Sequence, residues 1–355
     1  MSPIPRRAWR RRAAVPFALL LTLAACTAAS PSAEPSAGSS TGGNPSAGEA
    51  APYRIAFLSA ASENGFNQAL LQGIQDVVDK NNSTVEIFDG KFDATVQFNQ
   101  LQDLTAAGQF DAFVIAANDG VGIASLVGDA ITQGYKVAAV NNPIGPDLNA
   151  LEPQVEGLTT TAGSNQNESS TVQAEYAVEL CAALDPCKVV MFHGNLEFAF
   201  DGVRKNAWKA VFDQHTNIEV VAEVEGQYSR ETALGVMQDV LQANPDVNLV
   251  ISAADQHIFG AELALQEAGI EGVMLLGRGA ATESVLALRE GRWAGSYVDL
   301  PYTQGRLAAE ELLKDLRGES GITRFYDVIQ FSPVGPIATP ETVKGAPDFK
   351  GEWSG

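Results

Sequence analysis

Short apolar runs alternate with amphipathic helical patterns from Tyr53 onward, and this alternation restricts the possible folds more than any other feature of the sequence. Residues 64–80, for example, place apolar side chains at spacings of three and four, as one buried face of a helix requires. Alternating strands and helices predict an α/β fold in which parallel sheets are covered by helices on both faces. The runs with the length and composition of strands are residues 53–58, 84–88, 112–116, 136–140, 188–192, 218–223, 248–252, 273–277 and 293–298.

The alternation breaks down over residues 141–170, which are rich in asparagine, proline, glycine and threonine, and then resumes. Two α/β halves joined near this segment are the simplest explanation. In open α/β sheets, ligands bind beyond the carboxyl ends of the strands. The residues that follow each predicted strand are therefore the place to look for a functional site.

The first 25 residues have the features of an export signal. Five arginines between positions 6 and 12 precede an apolar stretch, residues 13–25, that is shorter than the roughly 20 residues needed to cross a bilayer as a helix. The stretch ends in Leu23-Ala24-Ala25-Cys26, which resembles the bacterial lipoprotein box. We expect residues 1–25 to be a lipoprotein signal peptide and Cys26 to carry the lipid; the alternative is a plain signal peptide with a cysteine there by chance.

Composition indicates an exported protein that does not bind nucleic acid. Residues 26–52 are rich in serine, proline and glycine and have no periodic apolar face, which predicts a disordered tether. Removing the signal leaves 18 basic and 43 acidic residues, a formal net charge of −25. Such a charge argues against a nucleic-acid partner.

The positions of the cysteines and histidines predict a disulfide and argue against a metal site. Outside the cytoplasm, Cys181 and Cys187 are expected to form a disulfide rather than to remain free thiols. We expect no metal site, because the sequence has three histidines and none lies at ligand spacing from these cysteines. Neither a Gly-x-Ser-x-Gly elbow nor a phosphate-binding Gly-x-x-x-x-Gly-Lys loop is found, so we expect no cofactor and no enzyme activity.

Several longer segments identify a family resemblance. They are ENGFNQALLQG from residue 63, FDAFVIAANDG from residue 110, DGVRKNAWKAVF from residue 201, YSRETALGVMQDVLQANPDVNLVISAADQ from residue 228, and REGRWAGSYVDLPYTQGRLAAEELL from residue 289. Over residues 53–330 the chain resembles the type I periplasmic sugar-binding proteins, the ribose- and galactose-binding group that feeds ABC transporters.

The resemblance implies two Rossmann-like lobes with parallel sheets, joined by a three-segment hinge. Residues 53–162 and 300–328 would form the N-terminal lobe, residues 163–299 and 329–340 the C-terminal lobe, and residues 341–355 a tail. The implied function is a monomeric, extracytoplasmic, lipid-anchored protein that captures a sugar-like ligand and delivers it to an ABC transporter permease. The alternative is a sensor that signals to a membrane receptor.

In the first lobe, the resemblance assigns ligand binding to residues just past the strands, and each assignment has a local alternative. Asn64 would bind hydroxyls or cap the following helix, and Phe66 would cover a sugar face or pack the first helical turn. Asp89 lies at an acidic lip position but also suits a solvated turn. Asn141 and Asn142 stand at ligand-binding positions, and they also suit a turn before proline.

In the second lobe, the resemblance assigns ligand binding to Arg204, Tyr228, Asp255, Arg278 and Asp299. Other positions depart from the ribose-binding pattern: Ala116, Ala254 and Gly279 stand where ribose-binding members carry hydroxyl-binding groups, and Arg278 adds a cation. The sequence therefore predicts a monosaccharide or polyol with a different hydroxyl pattern, or a sugar acid whose carboxylate meets Arg204 or Arg278.

Overall fold

The computed structural model describes residues 52–355, which contain two six-stranded sheets, one in each lobe. The predicted signal peptide, Cys26 and almost all of the predicted tether lie outside the described residues. The first sheet has, in spatial order, the strands β11 (Phe325–Asp327), β5 (Thr160–Gly163), β4 (Lys136–Asn141), β3 (Ala112–Ile115), β1 (Arg54–Ser59) and β2 (Thr84–Asp89). The second has β12 (Ile337–Ala338), β10 (Gly295–Val298), β9 (Met274–Gly279), β8 (Leu249–Ser252), β6 (Cys187–His193) and β7 (Ile218–Glu225).

Helices cover both faces of each sheet, and every strand pair is parallel except β10 with β12. The helices are α1 (Gly65–Asp79), α2 (Ala94–Ala107), α3 (Ala124–Thr132), α4 (Gln166–Leu180), α5 (Ala199–Phe212), α6 (Arg230–Ala243), α7 (Asp255–Ala268), α8 (Thr282–Glu290), α9 (Pro301–Leu316) and α10 (Pro340–Gly345).

The chain passes between the lobes three times. It crosses from β5 to α4, returns from β10 to α9, and crosses again from β11 to β12 through a 3₁₀ helix, Val328–Phe331. Helix α9 packs on α1 and β4 of the first lobe, whereas α4 packs on α5 and β8 of the second. The predicted α/β fold, with two Rossmann-like lobes and a three-segment hinge, is confirmed.

The first lobe shows how the sequence specifies its packing. Residues Ile55 to Leu58 of β1 are fully buried, and α1 buries Leu70 and Ile74 in the same apolar core as Ile55 and Phe57. Helices α1 and α9 approach closely at Gly73 of α1, where a Cβ would lie 2.1 Å from the carbonyl oxygen of Tyr302 in α9. This contact fixes α9, although it follows a strand of the second lobe, firmly on the first.

The second lobe contains a disulfide and also packs the C-terminal segment of the chain. Cys181, at the end of α4, and Cys187, at the start of β6, form a disulfide with a Cα–Cα distance of 5.6 Å. Residues 341–355, which the sequence sets apart as a tail, pack against the lobe, because Val343 and Phe349 enter its apolar core.

Within residues 52–355, no helix combines the length and apolar character needed to cross a membrane.

Candidate functional site

A cavity of about 70 Å³ lies between the lobes, where the carboxyl ends of the two sheets face each other. Aromatic, amide and guanidinium side chains dominate its wall. Of the predicted site residues, those on the cavity are Asn64, Phe66, Asn141, Asn142, Arg204, Tyr228, Arg278 and Asp299. The other lining residues are Ala60, Asn67, Phe92, Ala117, Asn118, Phe200, Ala253, Ala254, Gln256, Gly279 and Trp353.

Asn64 has the helix-capping role that the sequence offers as one alternative, and both Asn64 and Phe66 line the cavity. Asn64 caps α1, because its Oδ1 accepts a hydrogen bond from the backbone N–H of Phe66 at 3.0 Å. Its side chain also lines the cavity, and so does the Phe66 ring, which packs edge-on against Trp353 at 5.8 Å. The cap therefore positions an aromatic face and an amide at the same lip.

Asn141 ends β4, Asn142 follows it in the turn, and both line the cavity. Asn141 has a φ of +66°, in the left-handed region that asparagine tolerates better than most residues. Asn142 is buried, and its Oδ1 accepts a hydrogen bond from Nε2 of Gln166 at 3.0 Å. Gln166 begins α4, so this bond connects the turn to the first crossover between the lobes.

Arg204 belongs to a buried cluster with Asp201 and Tyr228. Its Nη1 lies 3.1 Å from Oδ1 of Asp201 and 3.0 Å from the Tyr228 hydroxyl, which itself donates to the Asp201 carboxylate at 2.7 Å. Desolvation raises the pKa of Tyr228 well above its ordinary value, so the phenol remains a neutral donor. Asp201 neutralises the guanidinium charge, although sequence reasoning missed it.

Arg278 is also held by several buried partners. Its Nε donates to Oδ2 of Asp299 at 3.0 Å and its Nη1 to the hydroxyl of Ser169 at 3.1 Å. The guanidinium also lies 4.5 Å from the centroid of the Tyr297 ring. Both arginines donate to Oε1 of Gln166, Arg204 at 2.8 Å and Arg278 at 3.3 Å.

The charges at the cavity therefore cancel. Two buried guanidinium groups face two buried carboxylates, Asp201 and Asp299. Within residues 52–355, no hydrogen bond is found for Nη2 of Arg204, which leaves a donor available at the cavity. The arrangement offers hydrogen-bond donors to a ligand without offering a net positive charge.

Aromatic rings from both lobes meet at the cavity. Phe92 follows β2 with a φ of +52°, and its ring stacks on Tyr228 of the second lobe, with centroids 5.5 Å apart and planes inclined by 23°. Phe92 also lies 6.2 Å from Phe198. These contacts join the lobes across the cleft, so the described conformation is a closed one. Sequence reasoning did not identify Phe92, which sits in an ordinary-looking turn.

Asp89 and Asp255 do not line the cavity; the structure gives them supporting positions. Asp89 accepts hydrogen bonds from the backbone N–H groups of Ser62 and Lys91 at 2.8 and 3.1 Å, and the bond from Ser62 is the main cause of its lowered pKa. Asp255 is fully buried and accepts from the backbone N–H of Ala281 at 2.8 Å. Burial raises the pKa of Asp255 to about 6.

Two cavity residues that sequence reasoning missed carry unpaired acceptors. Among the described residues, Oδ1 of Asn118 and Oε1 of Gln256 are buried and have no hydrogen-bond partner. Both line the cavity, and a buried acceptor without a donor costs about 1–3 kcal/mol. The signal was available, since each residue follows a strand: Asn118 lies just past β3, and Gln256 lies beyond β8.

Two lobes joined by three crossovers, with a polar and aromatic cavity between them, define a bilobal solute-binding protein. Residues 55–320 match the model of a family described as the periplasmic binding protein domain, so the chain belongs to that family. Membership in a family of binding proteins also confirms that the chain is not an enzyme.

Individual relatives agree with this assignment. The chain is 26% identical over 274 residues to the ribose import binding protein of Escherichia coli, and this match covers 77% of this chain and 88% of that protein. A solute-binding protein of an ABC transporter from Mycobacterium smegmatis, solved with bound glycerol, is 24% identical with a TM-score of 0.72, covering 86% of this chain and 99% of the other. A galactofuranose binding protein is 19% identical with a TM-score of 0.72, covering 84% and 98%.

Proposed function

We propose that the protein is an extracytoplasmic solute-binding lipoprotein that captures a small, uncharged sugar or polyol between its lobes and delivers it to an ABC importer. The observation that carries the proposal is the cavity itself, in which amides and aromatic rings face a space where every buried charge has a partner of opposite sign. Amides and guanidinium groups form hydrogen bonds with the hydroxyl groups of a ligand, and ring faces cover the C–H faces of a sugar.

Charge favours a neutral ligand over a sugar acid. A carboxylate entering the cavity would find Arg204 and Arg278 already neutralised by Asp201 and Asp299. Its own charge would have to be desolvated without a new ion pair, which is costly in a buried site. Hydroxyl groups, in contrast, suit the open acceptors of Asn118 and Gln256.

Size favours a ligand no larger than a monosaccharide. The cavity has a volume of about 70 Å³ and lies between the closed lobes, so only a small ligand fits it. The names of the relatives support the same class, because one is a ribose import binding protein and another was solved with bound glycerol.

The location and the anchor belong to the same proposal. A lipid on Cys26 and a flexible tether would hold the monomeric protein beside its permease at high effective concentration. Replacing Cys26 with serine would then release the protein from the membrane into the medium. Retention of the variant in the membrane fraction would contradict the anchor but not the binding function.

The binding function is tested with a panel of pentoses, hexoses, polyols and sugar acids. A ligand bound by the folded, closed protein raises the melting temperature by mass action, and isothermal titration calorimetry then gives the dissociation constant. We expect at least one neutral sugar or polyol to bind with a micromolar or lower Kd, and its acid counterpart to bind more weakly. Binding of sugar acids alone, or of no panel member, would overturn the proposal.

A further inference from the structure

The last five residues of the chain lie between the lobes and contact both of them. The Glu352 carboxylate accepts hydrogen bonds from the backbone N–H and the hydroxyl of Thr303, at 2.9 and 2.6 Å, at the start of α9 in the first lobe. The carbonyl oxygen of Trp353 accepts from the backbone N–H and the hydroxyl of Thr282, at 2.8 and 3.1 Å, at the start of α8 in the second. The chain terminus is therefore fixed at the edge of the cleft.

These contacts place the Trp353 indole in the cavity wall. The side chain is 5% exposed, and its Nε1–H donates to the carbonyl oxygen of Gly279 at 2.9 Å. The ring lines the cavity beside Phe66 and packs with Ala69 of α1 and Ala281 of the second lobe. The described chain has two other tryptophans, Trp208 and Trp293, and these are buried in the apolar cores of the second lobe instead.

Gly279 and Trp353 form one arrangement. A Cβ at residue 279 would lie 2.4 Å from the indole ring, and Gly279 has a φ of +126°, which residues with a side chain rarely adopt. The indole thus occupies the space into which a side chain at position 279 would project. At the end of β9, the cavity wall is therefore formed by the indole of Trp353, which lies 74 positions later in the chain.

We propose that Trp353 is a specificity-determining residue of the binding site, supplied by the C-terminal segment and held rigidly enough to set the largest substituent that the ligand can carry. The proposal rests on the proposed capture of a neutral sugar or polyol and deepens it. The ring is held by the hydrogen bond to Gly279, by an edge-on contact with Phe66 and by the two hydrogen bonds from Thr282 to the Trp353 carbonyl oxygen, so it cannot move aside for an added hydroxymethyl group.

The test compares affinities within pairs of neutral ligands that differ by one hydroxymethyl group: L-arabinose with D-galactose, D-xylose with D-glucose, and glycerol with erythritol. Calorimetry on the full chain gives the affinity ratio of larger to smaller member for the wild type, Trp353→Ala and Trp353→Phe. Lys350→Ala is the matched control, because Lys350 is exposed in the same segment and does not line the cavity.

We expect Trp353→Ala to change the ratio at least tenfold in favour of the larger member of a pair that the wild type binds, since one methylene-sized group is worth about 10- to 200-fold in a fitted pocket. The control should leave the ratio within twofold. A purely structural role would weaken both members equally, so an unchanged ratio in a folded Trp353→Ala variant would overturn the inference.

Trp353→Phe keeps an aromatic ring and protects the test if the alanine variant does not fold. It should shift the ratio in the same direction but by less than Trp353→Ala, and an unchanged ratio there would also overturn the inference. If the wild type binds no member of any pair while the panel above identifies another sugar, the size limit proposed for Trp353 is wrong. If the wild type binds nothing in either experiment, the proposed function itself fails.

Discussion

Changing Asp299 to asparagine would leave the Arg278 guanidinium buried without its carboxylate partner. The two groups are 3.0 Å apart, and both side chains are almost completely buried. At that separation, an effective dielectric constant of about 20 gives about 5.5 kcal/mol of attraction. Removing one member of a buried pair costs about 3–5 kcal/mol. We expect the lower end of that range, because Ser169, Gln166 and the Tyr297 ring remain in place around Arg278.

The same change should alter which ligands bind. An unpaired guanidinium in a closed cavity would pair with a carboxylate, and a hydrogen bond to a charged group contributes about 1.5–3 kcal/mol, or about 10- to 150-fold in affinity. Asp299→Asn should therefore shift the affinity ratio of D-galacturonate to D-galactose, or of the acid and neutral forms of whichever sugar binds, at least tenfold toward the acid.

Calorimetry with paired acid and neutral sugars measures this ratio, and urea denaturation measures the loss of stability. Asp246→Asn is the matched control, because it removes a carboxylate that pairs with Lys188 at 2.6 Å on the surface, away from the cavity. The control should change neither quantity appreciably. An unchanged acid-to-neutral ratio in a folded Asp299→Asn variant would refute the argument that paired charges exclude acids from the site.

Three further predictions concern closure, pH and fluorescence. Phe92→Ala removes the ring that stacks on Tyr228 across the cleft, a contact that contributes about 0.5–1.5 kcal/mol. Ligand affinity should therefore fall about 2- to 12-fold. Small-angle scattering of the variant without ligand should show a larger radius of gyration than that of the wild type. Unchanged values in both measurements would mean that the stack does not hold the lobes together. Burial raises the pKa of Asp255 from 3.8 to about 6, so the unfolded chain releases this proton first as pH rises. The stability that this residue contributes should therefore fall by about 3 kcal/mol between about pH 4 and pH 6 and stay level above pH 6. This contribution is measured as the difference in the free energy of unfolding in urea between the wild type and Asp255→Asn. A difference that does not change with pH would contradict the prediction. Ligand binding should shift tryptophan emission in the wild type and not in Trp353→Phe, because the other tryptophans of the described chain lie in apolar cores; a shift that survives in the variant would place the responding ring elsewhere.

Strands such as β1 and β8 could be predicted from the sequence because they are continuous apolar runs buried on both faces. The strands that could not are β5, β11 and β12. Strand β5 reads Thr160-Thr161-Ala162-Gly163 and is fully buried, yet its composition resembles a turn. The other two contain three and two residues, too few for any periodic pattern. All three lie at the crossovers, where pairing with a strand already in the sheet, rather than local preference, creates the strand.

The candidate site shows the same division. Residues at or beyond the carboxyl end of a strand, such as Asn64 and Arg278, could be predicted because parallel strands bring their carboxyl ends to one edge. Asp201, which neutralises Arg204, and Gln166, which accepts hydrogen bonds from both arginines, could not be predicted, because they lie on helices and act through other side chains. Nothing local marks Trp353, whose place in the wall depends on the packing of the final segment.

The paired charges of the cavity also affect how the protein works in surroundings of different salinity. A neutral ligand gives the acidic surface nothing to attract or repel, so its association rate should not depend on ionic strength. Anionic solutes experience the opposite, since the surface repels them before they reach the cleft. For the proposed neutral ligand, the association rate should therefore stay constant as ionic strength rises, whereas the repulsion of anionic solutes should weaken as salt screens the surface charge.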